Sequence, residues 1–318
     1  APMLNALASA DVVTWLSIIV KALVYATAFL AMGSVLNLLT LSSLPAFEVR
    51  KLRQMSVVWA IGAAVFSVFR LPLRASFLMR GTWQGATEPM MLTMVWDSPL
   101  GSSIVLRLIG LALICMILLP ARFGRPVAAL GVIVVAASFV LRGHALEEPR
   151  LLLATLITLH VLGLAFWIGA FAPLYRLSGA NSARVAGQVS HNFGRLAIWI
   201  VGGLSLAGGL ILWLLTGNVL NALFTPYGQL FAIKLGFFLA IMAFAAWNKL
   251  RLTPALLRQE PGAGSRLRRS IRMEAALVAL ILLTTATLTT VSAPESANQT
   301  TRAAGKGQIT KMIKGGFL

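Results

Sequence analysis

Eight apolar runs constrain this chain more than any other feature. They lie near 12–41, 55–78, 101–120, 126–143, 151–174, 193–216, 229–249 and 271–293. Most are close to the ~20 residues that an α-helix needs to cross a hydrocarbon layer ~30 Å thick. Lipid offers no partner for a backbone N–H or C=O, so each run has to satisfy its own polar groups by coiling. The expected fold is therefore all-α: a polytopic membrane protein built as a bundle of about eight transmembrane helices. Prolines and glycine-rich turns separate the runs, at Pro45, Pro89, Pro99, Pro149, 178–182, 225–228 and 260–264. The composition agrees, with 58% hydrophobic and 11% charged residues and a mean hydropathy of +0.85. The first run is too long for a signal-peptide core and is expected to stay in the membrane.

A net charge of +18 would suggest a nucleic-acid partner in a soluble chain. Here its placement reads differently. Arg50, Lys51 and Arg53 follow the first run, Arg122 and Arg125 the third, and Arg176 and Arg184 the fifth. Lys249, Arg251, Arg258, Arg266, Arg268, Arg269 and Arg272 surround the seventh connection. Basic residues gather on cytoplasmic loops, so these odd connections are expected inside. The even ones carry Glu88, Asp97, Glu147 and Glu148, and are expected in the periplasm with both termini. The partner implied is the lipid bilayer, with no nucleic acid. A polar tail, 296–318, reads as a disordered appendage. Cys115 is the only cysteine, which excludes a disulfide framework or a thiolate cluster. Gly202, Gly203, Gly208 and Gly209 are expected to allow close helix contact in the sixth run.

The stretch GTWQGATEPMMLTMVWDSPLG (81–101) then falls on the outer side. Thioether sulfur is a soft donor that selects Cu(I), so Met90, Met91 and Met94, with Met79 just before them, are candidate copper ligands. The competing reading is an interfacial segment anchored by Trp83 and Trp96, with methionine as filler. His160 lies about nine residues into the fifth run and His144 at the outer end of the fourth. A histidine inside a membrane span is a functional candidate by default, and both join the metal set. His191 sits at the inner start of the sixth run. Lys21, Arg70, Arg74, Arg107 and Lys234 are cations within the spans. A water-filled outward cavity is the economical account of them, drawing on Lys21, Arg70, Arg107, Asp97, Trp167, Lys234, Thr285 and Thr289. Such a cavity would attract anions and repel a bare copper ion unless acids offset it. Glu274 could pair with Arg272 or Asn248, or bind nothing. No GxxxxGK[ST] loop and no HExxH motif occurs, so neither nucleotide hydrolysis nor a zinc-protease site is supported.

Three segments resemble one family: HVLGLAFWIGAFAPLYRL (160–177), YGQLFAIKLGFFLAIMAFAAWNKLRLTPAL (227–256) and LRRSIRMEAALVALILLTTATLTTVSAP (267–294). In order, they resemble the copper resistance protein D (CopD) family, over about 155–295, with the first half similar in topology only. The resemblance implies a bacterial inner-membrane protein that carries copper from periplasm to cytoplasm and works with a periplasmic carrier of the CopC type. His160, Trp167, Gly169, Pro173, Lys234, Asn248 and Glu274 occupy the pattern positions. The expected division is an N-terminal four-helix half (1–150) with the methionine loop (79–99), a CopD-like domain (151–295) and the tail. The alternative is a membrane oxidoreductase holding haem b or a quinone, with His160 and His144 as axial ligands and the cations facing propionates.

Overall fold

Asp11 starts the first helix in the manner of an N-cap, its carboxylate accepting from the Thr14 N–H at 2.8 Å. That helix is α1 (Val12–Thr40), followed by α2 (Ala46–Leu78). A 3₁₀ turn (Trp83–Ala86) leads to a short α3 (Pro89–Trp96), then α4 (Pro99–Cys115) and α5 (Ala121–Ala137). The second half holds α6 (Arg150–Leu177), α7 (Ala183–Thr216), α8 (Pro226–Trp247), a π-helical turn (Asn248–Leu252), α9 (Thr253–Leu257) and α10 (Ala263–Val291). This computed structural model describes residues 11–141, 150–179, 183–216 and 226–291. His144, Glu147, Glu148 and the 296–318 tail lie outside the described residues, as does the side chain of Lys234.

Among the described residues every element is helical, and seven helices are long and apolar enough to cross a membrane. The fourth expected span corresponds to α5, whose 17 residues reach about 25 Å at 1.5 Å per residue. Several helices start earlier than the apolar runs do. α2 begins at Ala46 rather than 55, α7 at Ala183 rather than 193 and α10 at Ala263 rather than 271. Arginine and lysine are good helix formers, so the coil continues past the point where hydropathy falls. The basic residues of the connections consequently ride on helix ends. The methionine stretch also departs from a plain connection, because Pro89 starts α3 at its first turn, where a missing N–H costs nothing.

The packing centres on α1. Its buried face, with Phe29, Met32 and Val35, meets Leu52 of α2, Ile114 of α4, Val135 of α5 and Ala165 of α6 in one core. Tyr25, Phe29 and Phe139 stack at one edge of this core. α1 and α6 touch backbone to backbone: a Cβ added at Gly33 would lie 2.0 Å from Ala165 O and 2.7 Å from Gly169 Cα. The close contact expected of Gly202, Gly203, Gly208 and Gly209 is not there. Among the described residues no atom lies within 4 Å of a Cβ built at any of the four. α7 turns that side outward together with Trp199, which is 82% exposed. Glycine allows a close approach, but the rotation of the helix decides whether one occurs.

The connections α1–α2, α4–α5, α6–α7 and α9–α10 gather at one basic end of the bundle. Glu48 of α2 is buried there and receives Arg176 of α6 in a two-pronged pair, Nε to Oε1 at 2.9 Å and Nη2 to Oε2 at 2.7 Å. Arg53 donates to the carbonyls of Ile117, Leu118 and Leu119 at 2.8–2.9 Å, satisfying groups that the 3₁₀ turn after α4 (Met116–Leu118) leaves open.

Candidate functional sites

At the opposite end, α3 lies across α2 and α4 and sorts the methionines by face. Met90 is 77% exposed and Met94 53% exposed, and one helical turn separates them, so both thioethers stand on the same outward side. Met91 turns inward onto the cluster of Ala75, Val95, Leu100 and Ile104. Met79 is half-buried at the end of α2, its N–H bonded to Ala75 O and Ser76 O. Trp83 and Trp96 flank the helix and are exposed, as interfacial anchors would be.

Lys234 aside, the residues expected to share one outward cavity occupy four separate places. Lys21, Arg70 and Thr289 do meet, joined by Arg74, Ser17 and Thr290, in a cleft of about 40 Å³ between α1, α2 and the end of α10. Lys21 is 6% exposed, and its ammonium donates to Thr289 O at 2.9 Å. The Thr289 hydroxyl bonds back to the carbonyl of Thr285 at 2.8 Å, which engages Thr285 within its own helix. Arg107 is buried elsewhere: its Nε donates to Ser138 Oγ at 3.1 Å and its guanidinium lies 4.5 Å from the Phe139 ring centroid. Asp97 lines an open groove of about 580 Å³ along α4, with Trp96, Ser102 and Leu141.

Trp167 belongs to a site near the basic end that sequence reasoning only half located. Glu274 of α10 is 3% exposed and accepts a hydrogen bond from Asn248 Nδ2, which selects Asn248 over Arg272 as its partner. Trp167 and Ser270 lie beside the same carboxylate without a well-formed hydrogen bond to it. Met242 packs on the cluster around Trp167. Asn248 is held by a π-helical turn, with the Thr253 hydroxyl bonded to Asn248 O at 2.9 Å. The cause is in the sequence: Pro254 has no N–H to give to residue 250 and its ring crowds that carbonyl, so the coil widens ahead of it.

His160 is half-buried on α6, between exposed Leu159 and buried Val161. α6 packs on α1, α5, α7 and α10, whereas α3 packs on α2 and α4. The imidazole and the outward methionines are therefore held by different neighbours. Among the described residues no three His, Cys, Asp or Glu side chains gather as a metal centre.

A helical, multi-pass membrane protein with a basic end, thioethers exposed at the other end and polar side chains buried between its helices is the class defined by these features. Comparison with known families narrows it. Residues 187–288 match the profile of copper resistance protein D, and residues 9–150 match that of the copper resistance protein D-like N-terminal domain. The chain belongs to the copper resistance protein D family, and is a copper-handling membrane protein. The N-terminal half, whose resemblance in the sequence is one of topology only, thus carries a family signature of its own. Neither the comparison with curated proteins nor that with solved structures returned a match.

Proposed function

We propose that this protein accepts copper as Cu(I) in the periplasm, from a carrier of the CopC type, and moves it across the bacterial inner membrane. The observation that carries the reading is the paired exposure of Met90 and Met94 on α3 in a member of a copper-resistance family. Two thioethers one turn apart offer a soft, shallow and exchangeable site, suited to receiving an ion from another protein rather than storing it. His160, within the membrane, supplies the next ligand, with His144 at the outer end of the fourth apolar run. Toward the cytoplasm, Met242 and the Glu274–Asn248 pair share one region between α6, α8 and α10, which supports an inward route. Eight spans with both termini outside fit the basic end being cytoplasmic.

The test is Cu(I) uptake into proteoliposomes that hold the purified protein. Met90→Leu/Met94→Leu keeps volume and apolarity while removing both sulfurs, and is expected to lower the uptake rate at limiting copper at least fivefold. His160→Ala is expected to abolish uptake. Uptake unchanged in both variants would remove the proposed path. An absorption spectrum of the same sample decides the haem form of the oxidoreductase alternative, since bound haem b gives an intense Soret band and Cu(I) gives none.

A further inference from the structure

Glu48 and Glu274 are the buried acids among the described residues, and the bundle treats them differently. Glu48 meets the guanidinium fork of Arg176, which engages both oxygens and holds the charge in place. Glu274 has no ion-pair partner among the described residues. Its neighbours are the Asn248 amide, the Trp167 indole and the Ser270 hydroxyl, all formally neutral. The basic groups on the elements packed against α10 are placed elsewhere. Lys249 donates to Gly194 O at 2.9 Å, Arg268 lies over the Tyr175 ring and Lys21 is bonded to Thr289 O, at the far end of α10. Arg251, Arg272 and, on α7, Arg184, His191 and Arg195 are exposed. His160 lies two turns along α6 from Trp167, and Lys234 stands about 21 Å of helix before Asn248.

The neutral neighbours suit two forms of one carboxyl group. Asn248 donates through Nδ2, while its Oδ1 is buried without a partner. Trp167 Nε1 and Ser270 Oγ are buried and without a well-formed bond too, on side chains 7% and 6% exposed. Ser270 stands one turn before Glu274, and it does not bond back to its helix as Thr284, Thr287, Thr289 and Thr290 do. An indole only donates, a hydroxyl donates or accepts, and an amide offers a donor on one side and an acceptor on the other. An ionised Glu274 therefore has three donors beside it. A protonated Glu274 has an acceptor once the Asn248 amide turns over. Without a cation the ionised form is the costly one in a dry interior, so nothing locks the group in that state as Arg176 locks Glu48. The π-helical turn that carries Asn248 agrees with this, since such turns recur at functional sites.

We propose that Glu274 is a proton-exchange site within the membrane. Its carboxyl O–H breaks when a cation comes near, the proton passes to water at the basic end, and the carboxylate then accepts from Asn248 Nδ2. When the cation leaves, a proton from the same water restores the O–H and the Asn248 amide turns its oxygen to accept it. That the cation is copper rests on the transport reading above, whereas the exchange of the proton does not.

Infrared difference spectra of the full chain in lipid, recorded between acid and alkaline buffer, read the proton directly. The wild type should show a carboxylic-acid C=O band that is lost on the alkaline side and is missing from Glu274→Gln. Glu274→Asp should move this band, and Asn248→Leu should shift its frequency by removing the amide, so the assignment stands even where the Gln variant fails to fold. Spectra of all three variants that superimpose on the wild type overturn the proposal. Copper uptake into proteoliposomes is measured beside them. Acid buffer should slow it in the wild type, because the proton is held against the arriving cation, and Glu274→Gln should lose that dependence. Equal pH dependence in both overturns the link to copper. No uptake by the wild type removes the transport reading, and the infrared band still decides whether Glu274 exchanges a proton.

Discussion

Glu48 is a carboxylate with almost no access to water. Its burial is tolerable because Arg176 meets both oxygens, and the same guanidinium reaches Met55 Sδ at 3.1 Å. Removing one partner leaves the other charge stranded, so Arg176→Met is expected to destabilise the protein by on the order of 3 kcal/mol. Glu48→Leu/Arg176→Met, which strands nothing, should recover most of that loss. Denaturant unfolding in micelles measures both, and equal loss in single and double variants would mean that the pair is replaceable by neither. Arg53 makes a related point, since a residue counted as loop charge proves to bind three backbone carbonyls. At this scale the basic residues that orient the bundle also fasten its helix ends.

Helices differ in how their glycines are used, and the difference is measurable. Gly169→Ala would drive a methyl into the α1 backbone at Gly33, 2.3 Å from its carbonyl carbon, and neither backbone can yield. We expect a loss of about 2 kcal/mol or more, in the range of overpacking within a rigid contact. Gly208→Ala meets open space and should be neutral or raise stability by up to about 1 kcal/mol, through helix propensity and a stiffer unfolded chain. Tm comparison of the two variants checks the contrast, and a cost at Gly208 would show that α7 packs against something in the membrane. The sequence singled out Gly169 and Gly208 but not Gly33, and it could not tell their faces apart, because that requires the rotation of each helix. The existence of the long helices was legible, since lipid forces coiling whatever the neighbours are. Their starts were not, because hydropathy ends where the charges begin and helix propensity does not. The helical form of α3 is hidden for a third reason: eight residues are too few for a clear period, and only Pro89 marks its start.

The candidate sites were legible as residue types and not as sets. Lys21, Arg70, Arg107 and Thr289 all read as polar groups in the outer halves of spans, yet only three of them share a cleft. Helix order around α1 decides this, and order is absent from a one-dimensional pattern. Glu274 and Asn248 were each visible, and the bond between them followed only once α8 and α10 were seen to pack. At the scale of the whole molecule, the distribution of charge predicts which end faces the periplasm. Fourteen of the basic residues discussed above flank the odd connections, and such an excess marks the cytoplasmic side. If so, the thioethers of α3 face the periplasm and can meet a carrier there. In a Cys115→Ala background, cysteine placed at Met90 should react with a membrane-impermeant maleimide in intact spheroplasts. Cysteine placed at Arg258, exposed beside Glu260 at the basic end, should react only after the membrane is permeabilised. The reverse pattern would put the methionine face in the cytoplasm, where no periplasmic carrier could reach it, and would turn the proposed direction of copper movement around.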